Sequence, residues 1–279
     1  MHYYAQKERK EIMAELHVLT EYSPFSMGFV IITDKNRAII IDGGRTLEIH
    51  NIEAHVGDRE VAAWILTHPH GDHITAFNHM MFRDNHPIAQ RAEKIMCNFH
   101  SYEFHKACNE ADGSTKYLLE FEQNVDKIKD RLVTPVAGDS FEIDGLKFDF
   151  LFSRDEKFTE NSINDSCLVF RVTGEKKNVL FLADLGPIAG DALLEAHGNA
   201  LKADIVQMAH HGHMCVKEEV YKAINPEACI WCAASWLYQE TDREIKPGMF
   251  GVARTRKWMA NLGVQTHYVT KDGDHVIEI

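Results

Sequence analysis

The chain has 279 residues, long enough to bury a sizeable core, and 42 acidic against 30 basic side chains give it a net charge of −12 with histidine neutral. Such a field repels polyanions, which disfavours a nucleic-acid substrate unless a local positive charge such as bound divalent ions offsets it. No apolar stretch approaches the roughly 18 residues of a spanning helix, the opening Met1-His2-Tyr3-Tyr4 is no signal peptide, and six cysteines in a chain this long make no dense disulfide framework, so the expected setting is the cytoplasm, without a membrane partner.

Residues 2–15 mix Lys7, Glu8, Arg9, Lys10, Glu11 and Glu15 with Ile12 and Met13, the pattern of a short charged helix with one weak apolar face. Strand patterns follow at 16–19, 29–33 and 38–41, with Asp34-Lys35-Asn36 as the turn between the last two. Asp42-Gly43-Gly44 closes the third strand. The glycines permit a sharp turn, and Asp42 is either a polar turn residue or a carboxylate placed to orient ligands. A helix is expected over 45–60, and the continuous apolar run 61–66 predicts a strand covered on both faces.

Directly after that run stands Thr67-His68-Pro69-His70-Gly71-Asp72-His73. In an extended segment His68 and His70 share one side and can reach one ion. Asp72 and His73, entering a helix over 74–81, face a second. A lone histidine is usually structural, but four ligand-type residues in six positions after a buried strand are a specific signal. It is half a site, and its partners must come from elsewhere in the chain.

Residues 82–133 read as a mainly helical insert, broken near 109–115, whose His86, Phe99, His100, Tyr102, Phe104, His105 and Tyr117 serve packing or a lid. Strands are expected at 140–143 and 146–152 around the turn Asp144-Gly145, then at 166–173, 178–183, 203–209, 228–234, 264–269 and 275–279. Helices are expected at 187–200, 216–224 and 251–262, with a loop over 235–250. Cys229-Ile-Trp-Cys232 has C-x-x-C spacing, but a strand turns the two thiols to opposite faces and argues against a metal or redox pair. Two strand ends offer the missing ligands: Asp184, able to bridge two ions, and the His210-His211 pair, one a ligand and the other beside it. No repeat or linker interrupts the pattern, so one domain over 1–279 is expected, an α/β fold built as an αββα four-layer sandwich with a helical insert.

The heptapeptide at 67–73 and Asp42-Gly43-Gly44 resemble the signature of the metallo-β-lactamase fold superfamily. Within it, Asn164-Asp165-Ser166-Cys167-Leu168-Val169, Leu180-Phe181-Leu182-Ala183-Asp184-Leu185 and His210-His211-Gly212 are similar to the soluble domain of the competence protein ComEC and its stand-alone relatives. So are the segments 138–145 and 269–276, and the resemblance spans about residues 16–279. It implies His68, His70, Asp72, His73, Asp184 and His210 as ligands of two divalent metal ions, zinc first, with manganese or iron as alternatives. It also implies hydrolysis by a metal-bridging hydroxide held by Asp72, with His211 as a candidate proton donor. The expected substrate is a phosphodiester or other phosphorylated or ester compound, small or nucleotide-like. Alternatives are a lactone or thioester at the same site, or a binding protein that keeps the fold without catalysis. The chain departs from the pattern at Asn164-Asp165, where many members place a third histidine, at Cys167 and His213, where serine is usual, and at 235–250, which lacks His-Pro. His70 stands where the diiron oxygen-reducing branch carries a carboxylate.

Overall fold

The computed structural model describes residues 13–110, 113, 115–241 and 250–279. The charged helix expected over 2–15 falls almost wholly outside them. The first described element is strand β1, Glu15–Val18, followed by β2, Gly28–Ile32, and β3, Ala38–Asp42. Next come α1, Ile49–Val56, β4, Val61–Ile65, and α2, Gly71–Asn78, which runs on as one π-helical turn at His79–Arg83. The strands are β-branched and buried on both faces. Phe29, Ile31, Ile39 and Ile41 point into one apolar layer, while Val30, Ile40 and Trp64 point into another with Phe77 of α2.

The segment 82–133 differs from the expected helical insert. It holds α3, Pro87–Gln90, β5, Ile95–Met96, α4, Tyr102–Ala107, α5, Lys116–Asn124, and β6, Leu132–Val133. The two strands extend the first sheet in parallel register, Trp64 opposite Ile95 and Ile95 opposite Leu132. Strands of two residues leave no periodicity to read, which is why helix patterns dominate the sequence there.

The second half supplies β7, Ser140–Ile143, β8, Leu146–Phe152, β9, Val169–Thr173, β10, Asn178–Phe181, and α6, Pro187–His197. Strand β9 begins later than expected because Asn164–Ser166 coil into a 3-10 turn. The chain continues with β11, Ile205–Gln207, α7, Glu218–Ile224, β12, Ala228–Trp231, α8, Ser235–Tyr238, α9, Val252–Asn261, β13, Thr266–Val269, and β14, His275–Glu278.

Two seven-stranded sheets result, in the orders β14-β1-β2-β3-β4-β5-β6 and β13-β12-β11-β10-β9-β8-β7. Each is antiparallel in one half and parallel in the other, the parallel halves being β3 to β6 and β10 to β13. Phe29, Ile41, Phe148, Phe170 and Phe181 fill the layer between the sheets, and separate apolar layers lie under the helices on each outer face. Three apolar layers separating helix, sheet, sheet and helix make the αββα sandwich. Cys229 packs in an outer layer and Cys232 between the sheets, so the C-x-x-C pair is divided as a strand requires. Among the described residues no helix is long and apolar enough to cross a membrane.

Candidate metal centre

The site forms where the carboxyl ends of parallel strands meet, the usual place for one in a sheet protein. The end of β3 brings Asp42, the loop after β4 brings His68 and His70, and the first turn of α2 brings Asp72 and His73. From the other sheet, the ends of β10 and β11 bring Asp184 and the pair His210-His211. A main-chain bond ties the halves together, Leu168 donating to the Thr67 carbonyl at 2.9 Å, and within the second half His210 donates to the Ala183 carbonyl at 2.9 Å.

Several backbones in these bends are forced. Asp42, Ala183, His210 and His211 have φ of 54°, 49°, 48° and 58°, the left-handed region that costs an ordinary residue about 1 kcal/mol or more. Such strain persists where surroundings impose it. Gln207, buried, does so at one bend by accepting from the amides of Leu182 and Ala183 at 2.9 and 2.7 Å. Gly212 must be glycine: its φ is 84° and a Cβ would meet the Trp231 ring at 2.6 Å.

At the centre is one oxygen. Asp184 Oδ2 lies 3.7 Å from His68 Nε2, 3.4 Å from His73 Nε2, 3.6 Å from His210 Nε2 and 3.3 Å from His211 Nε2. His211 Nε2 is also 3.7 Å from Asp72 Oδ2. Two ligands each about 2.1 Å from a tetrahedral ion stand about 3.4 Å apart, so these spacings suit shared coordination better than direct hydrogen bonds. The nitrogens His73 Nε2 and His211 Nε2, and Asp184 Oδ1, are buried with no hydrogen-bond partner. Buried polar atoms without partners are rare and need a cause. Two sets of donors are compact enough to hold an ion each: His68, His70 and Asp184, and Asp72, His73 and His211. The residues therefore fit a two-ion centre.

Neighbouring groups orient the donors. Asp42 Oδ1 accepts from the Thr67 amide and Oδ2 from the Thr67 hydroxyl, both at 2.8 Å, and Oδ2 also accepts from His73 Nδ1 at 2.7 Å. His211 Nδ1 donates to the Cys232 carbonyl at 3.0 Å. In both rings this turns Nε2 toward Asp184, as expected of a metal-binding histidine whose other nitrogen is occupied. His210 differs, because its Nδ1 stands 3.2 Å from Cys215 Sγ.

The charges are balanced by mutual proximity. Burial opposes ionisation of Asp184, but His211, His73 and His210 outweigh it and hold the carboxyl well below its ordinary range. Burial likewise opposes a charge on His73 and His211, yet Asp184 raises both, helped by Asp42 at His73 and Asp72 at His211. His68 is held well below the usual value, first by burial and then by His73. Two carboxylates amid buried imidazoles suit a bound cation.

Asn164 and Asp165, which stand where many members place a third histidine, belong to neither donor set. Asp165 Oδ1 accepts from the Ala189 amide at 3.3 Å, in the first turn of α6, and Asn164 Nδ2 donates to Asn161 Oδ1 at 3.0 Å. Three contacts come from the tertiary structure. Arg45 lines the cleft with its Nη2 4.0 Å from Asp72 Oδ2. His105, read as packing, is fully buried, with Nδ1 2.7 Å from Ser162 Oγ, itself a donor to Glu110 at 2.8 Å. Tyr117 of α5 packs its ring where a side chain on Gly71 would go. The cleft over the centre holds about 340 Å³, with Phe25 and Phe250 as apolar walls.

The sequence profile of the metallo-beta-lactamase superfamily matches residues 28–214, a span that contains every donor of both sets. The chain belongs to the metallo-beta-lactamase superfamily. As a member of that superfamily it is a metal-dependent hydrolase. Among solved structures it is similar to the metallo-beta-lactamase fold protein YhfI from Bacillus subtilis, at 12% identity and a TM-score of 0.53 over 95% of this chain and 99% of that one. It is also similar to CmlA, a diiron beta-hydroxylase from Streptomyces venezuelae, at 11% identity and a TM-score of 0.53 over 94% of this chain. The chain spans about half of CmlA, 54% of its length. At such identities the likeness is one of fold. No curated protein matches this sequence. The matches lie at superfamily level, and the narrower likeness to ComEC rests on the sequence motifs.

Proposed function

We propose that the chain hydrolyses a phosphodiester or another phosphorylated or ester-type small molecule at a two-ion centre. The observation that carries this reading is Asp184 Oδ2, equidistant within 0.4 Å from four imidazole nitrogens contributed by both halves of the sandwich. His68, His70 and Asp184 would hold one ion, and Asp72, His73 and His211 the other. This moves His211 from proton donor to ligand and His210 to a neighbouring position, supported by the Cys232 carbonyl that fixes the His211 ring. Divalent ions there, zinc first and manganese or iron second, would supply Lewis-acid charge and acidify water.

The chain's own groups do the rest. Asp72, less buried than Asp184, accepts the proton of an attacking water at the cleft floor. Arg45, beside it, meets the negative charge of a phosphoryl group with a fixed, always-ionised donor fork. Phe25 and Phe250 exclude water from the leaving-group side and hold an apolar moiety. The net charge of −12 still disfavours a long polyanion and favours a small substrate.

Protein purified away from chelators is expected to contain stoichiometric transition metal and to hydrolyse bis-p-nitrophenyl phosphate faster than lactones or thioesters. Metal-free protein that resists reconstitution overturns the proposal. Faster turnover of a lactone or thioester transfers the site to acyl chemistry.

A further inference from the structure

Beside the centre lies a third group of donors. His210, His213 and Cys215 each present one ligand atom, and the three atoms lie within 4.8 Å of one another. Cys215 Sγ is 3.2 Å from His210 Nδ1, and the His210 and His213 rings lie 4.6 Å apart, inclined by 31°. His213 is 8% exposed and its Nε2 is buried without a partner. A thiol-to-imidazole hydrogen bond would account for Cys215 and His210, but it leaves His213 unexplained.

We propose that His210, His213 and Cys215 form a third cation site, selective for zinc, in the wall of the same cleft. The donor set is the argument. Thiolate with two imidazoles suits zinc and excludes magnesium and calcium, which take oxygen ligands. The main chain of the loop sets the three donors together: the His213 amide donates to the His210 carbonyl at 2.9 Å and the Cys215 amide to the His213 carbonyl at 2.8 Å. His210, in the left-handed region, is thereby turned so that Nδ1 faces Cys215 while Nε2 faces Asp184. Three protein ligands leave a fourth position, and His210 and His213 both border the cleft. An ion there would add positive charge to the cleft that Arg45 also lines, where a second anionic group of the substrate would lie.

This inference rests on His211, not His210, serving the two-ion centre, and one titration separates the two readings. Metal-stripped full-length protein is titrated with cobalt(II). The two-ion centre contains no sulfur, so a near-ultraviolet thiolate-to-cobalt band reports the third site alone, while visible ligand-field bands report cobalt at the nitrogen and oxygen donors. The band is expected in the native protein, lost in Cys215→Ser with the ligand-field bands kept, weakened in His213→Asn, and intact in Cys167→Ser. Zinc content should fall by about one ion per chain in Cys215→Ser. Ligand-field bands without a thiolate band, or a band abolished by Cys167→Ser, overturn the third site and leave the two-ion centre standing. Absence of all cobalt bands overturns both.

Discussion

His73 Nδ1 lies 2.7 Å from Asp42 Oδ2, and both side chains are wholly shielded from solvent. That contact reaches from the end of β3 to the first turn of α2, and it fixes which nitrogen of His73 points at Asp184. The Asp42 carboxylate therefore acts on the centre without touching it.

Replacing Asp42 by asparagine tests that role cleanly, because asparagine tolerates the left-handed backbone found there. Asp42→Asn is expected to weaken metal affinity about 10- to 100-fold while the fold persists. Competition with a chromophoric chelator, alongside circular dichroism, reads both quantities. Unchanged affinity would reduce Asp42 to a turn residue.

Asp184→Ala removes the oxygen that four imidazoles share. Activity is expected to fall by more than about 100-fold, with loss of bound metal, since removing a ligand should exceed the effect of removing its orienting partner. Metal analysis and turnover of bis-p-nitrophenyl phosphate should fall together. Full metal content in the variant would contradict a ligand role.

Arg45→Ala is expected to raise KM for a phosphorylated substrate with a smaller change in kcat, as loss of a contact made equally in ground and transition states does. A neutral lactone should show no such change. Equal effects on both substrates would mean that Arg45 acts by holding Asp72.

Gly71→Ala should displace the metal loop, because its methyl group and the Tyr117 ring would share one space. Coupling predicts the cure: Tyr117→Ala in the same chain should restore metal content, giving a strongly non-additive double-mutant cycle. Additive losses would place the damage elsewhere.

A pH test lies far from the centre. Arg37 donates to Asp144 through Nε at 2.8 Å and Nη2 at 2.9 Å, and Thr33 adds a third donor at 2.9 Å, joining the β2–β3 turn to the β7–β8 turn. Arg37 is the main reason the Asp144 carboxyl is held down at about 2. A depressed acid contributes stability above its unfolded pKa and loses it as pH falls toward the folded one. Asp144→Asn should cost roughly 1–2 kcal/mol at neutral pH after solvent screening, with the difference from native fading between about pH 4 and 2. Urea melts at both ends of that window would show it. A difference that does not change with pH would assign the loss to packing.

The cluster at 67–73 was legible because its four candidate donors are local: one strand end and one helix turn place them all. Asp184 was legible from the apolar strand before it. The different settings of His210 and His211 were not, since they depend on left-handed φ at both residues and on a carbonyl 21 residues from His211, at Cys232. The four layers could be read from alternating apolar runs, yet β5 and β6 escaped because each holds two residues. Arg45, His105 and Cys215 reach their places through tertiary contacts that no local pattern announces.

The position of Asp184 has a mechanical side. β4 and β10 belong to different sheets, and the segments that follow them meet at this cluster of donors. Ions held there rivet one leaf of the sandwich to the other at its open edge. Loading and stripping of metal should then govern how often the two leaves breathe apart, with amide exchange in β4 and β10 slowing together when the rivet is in place.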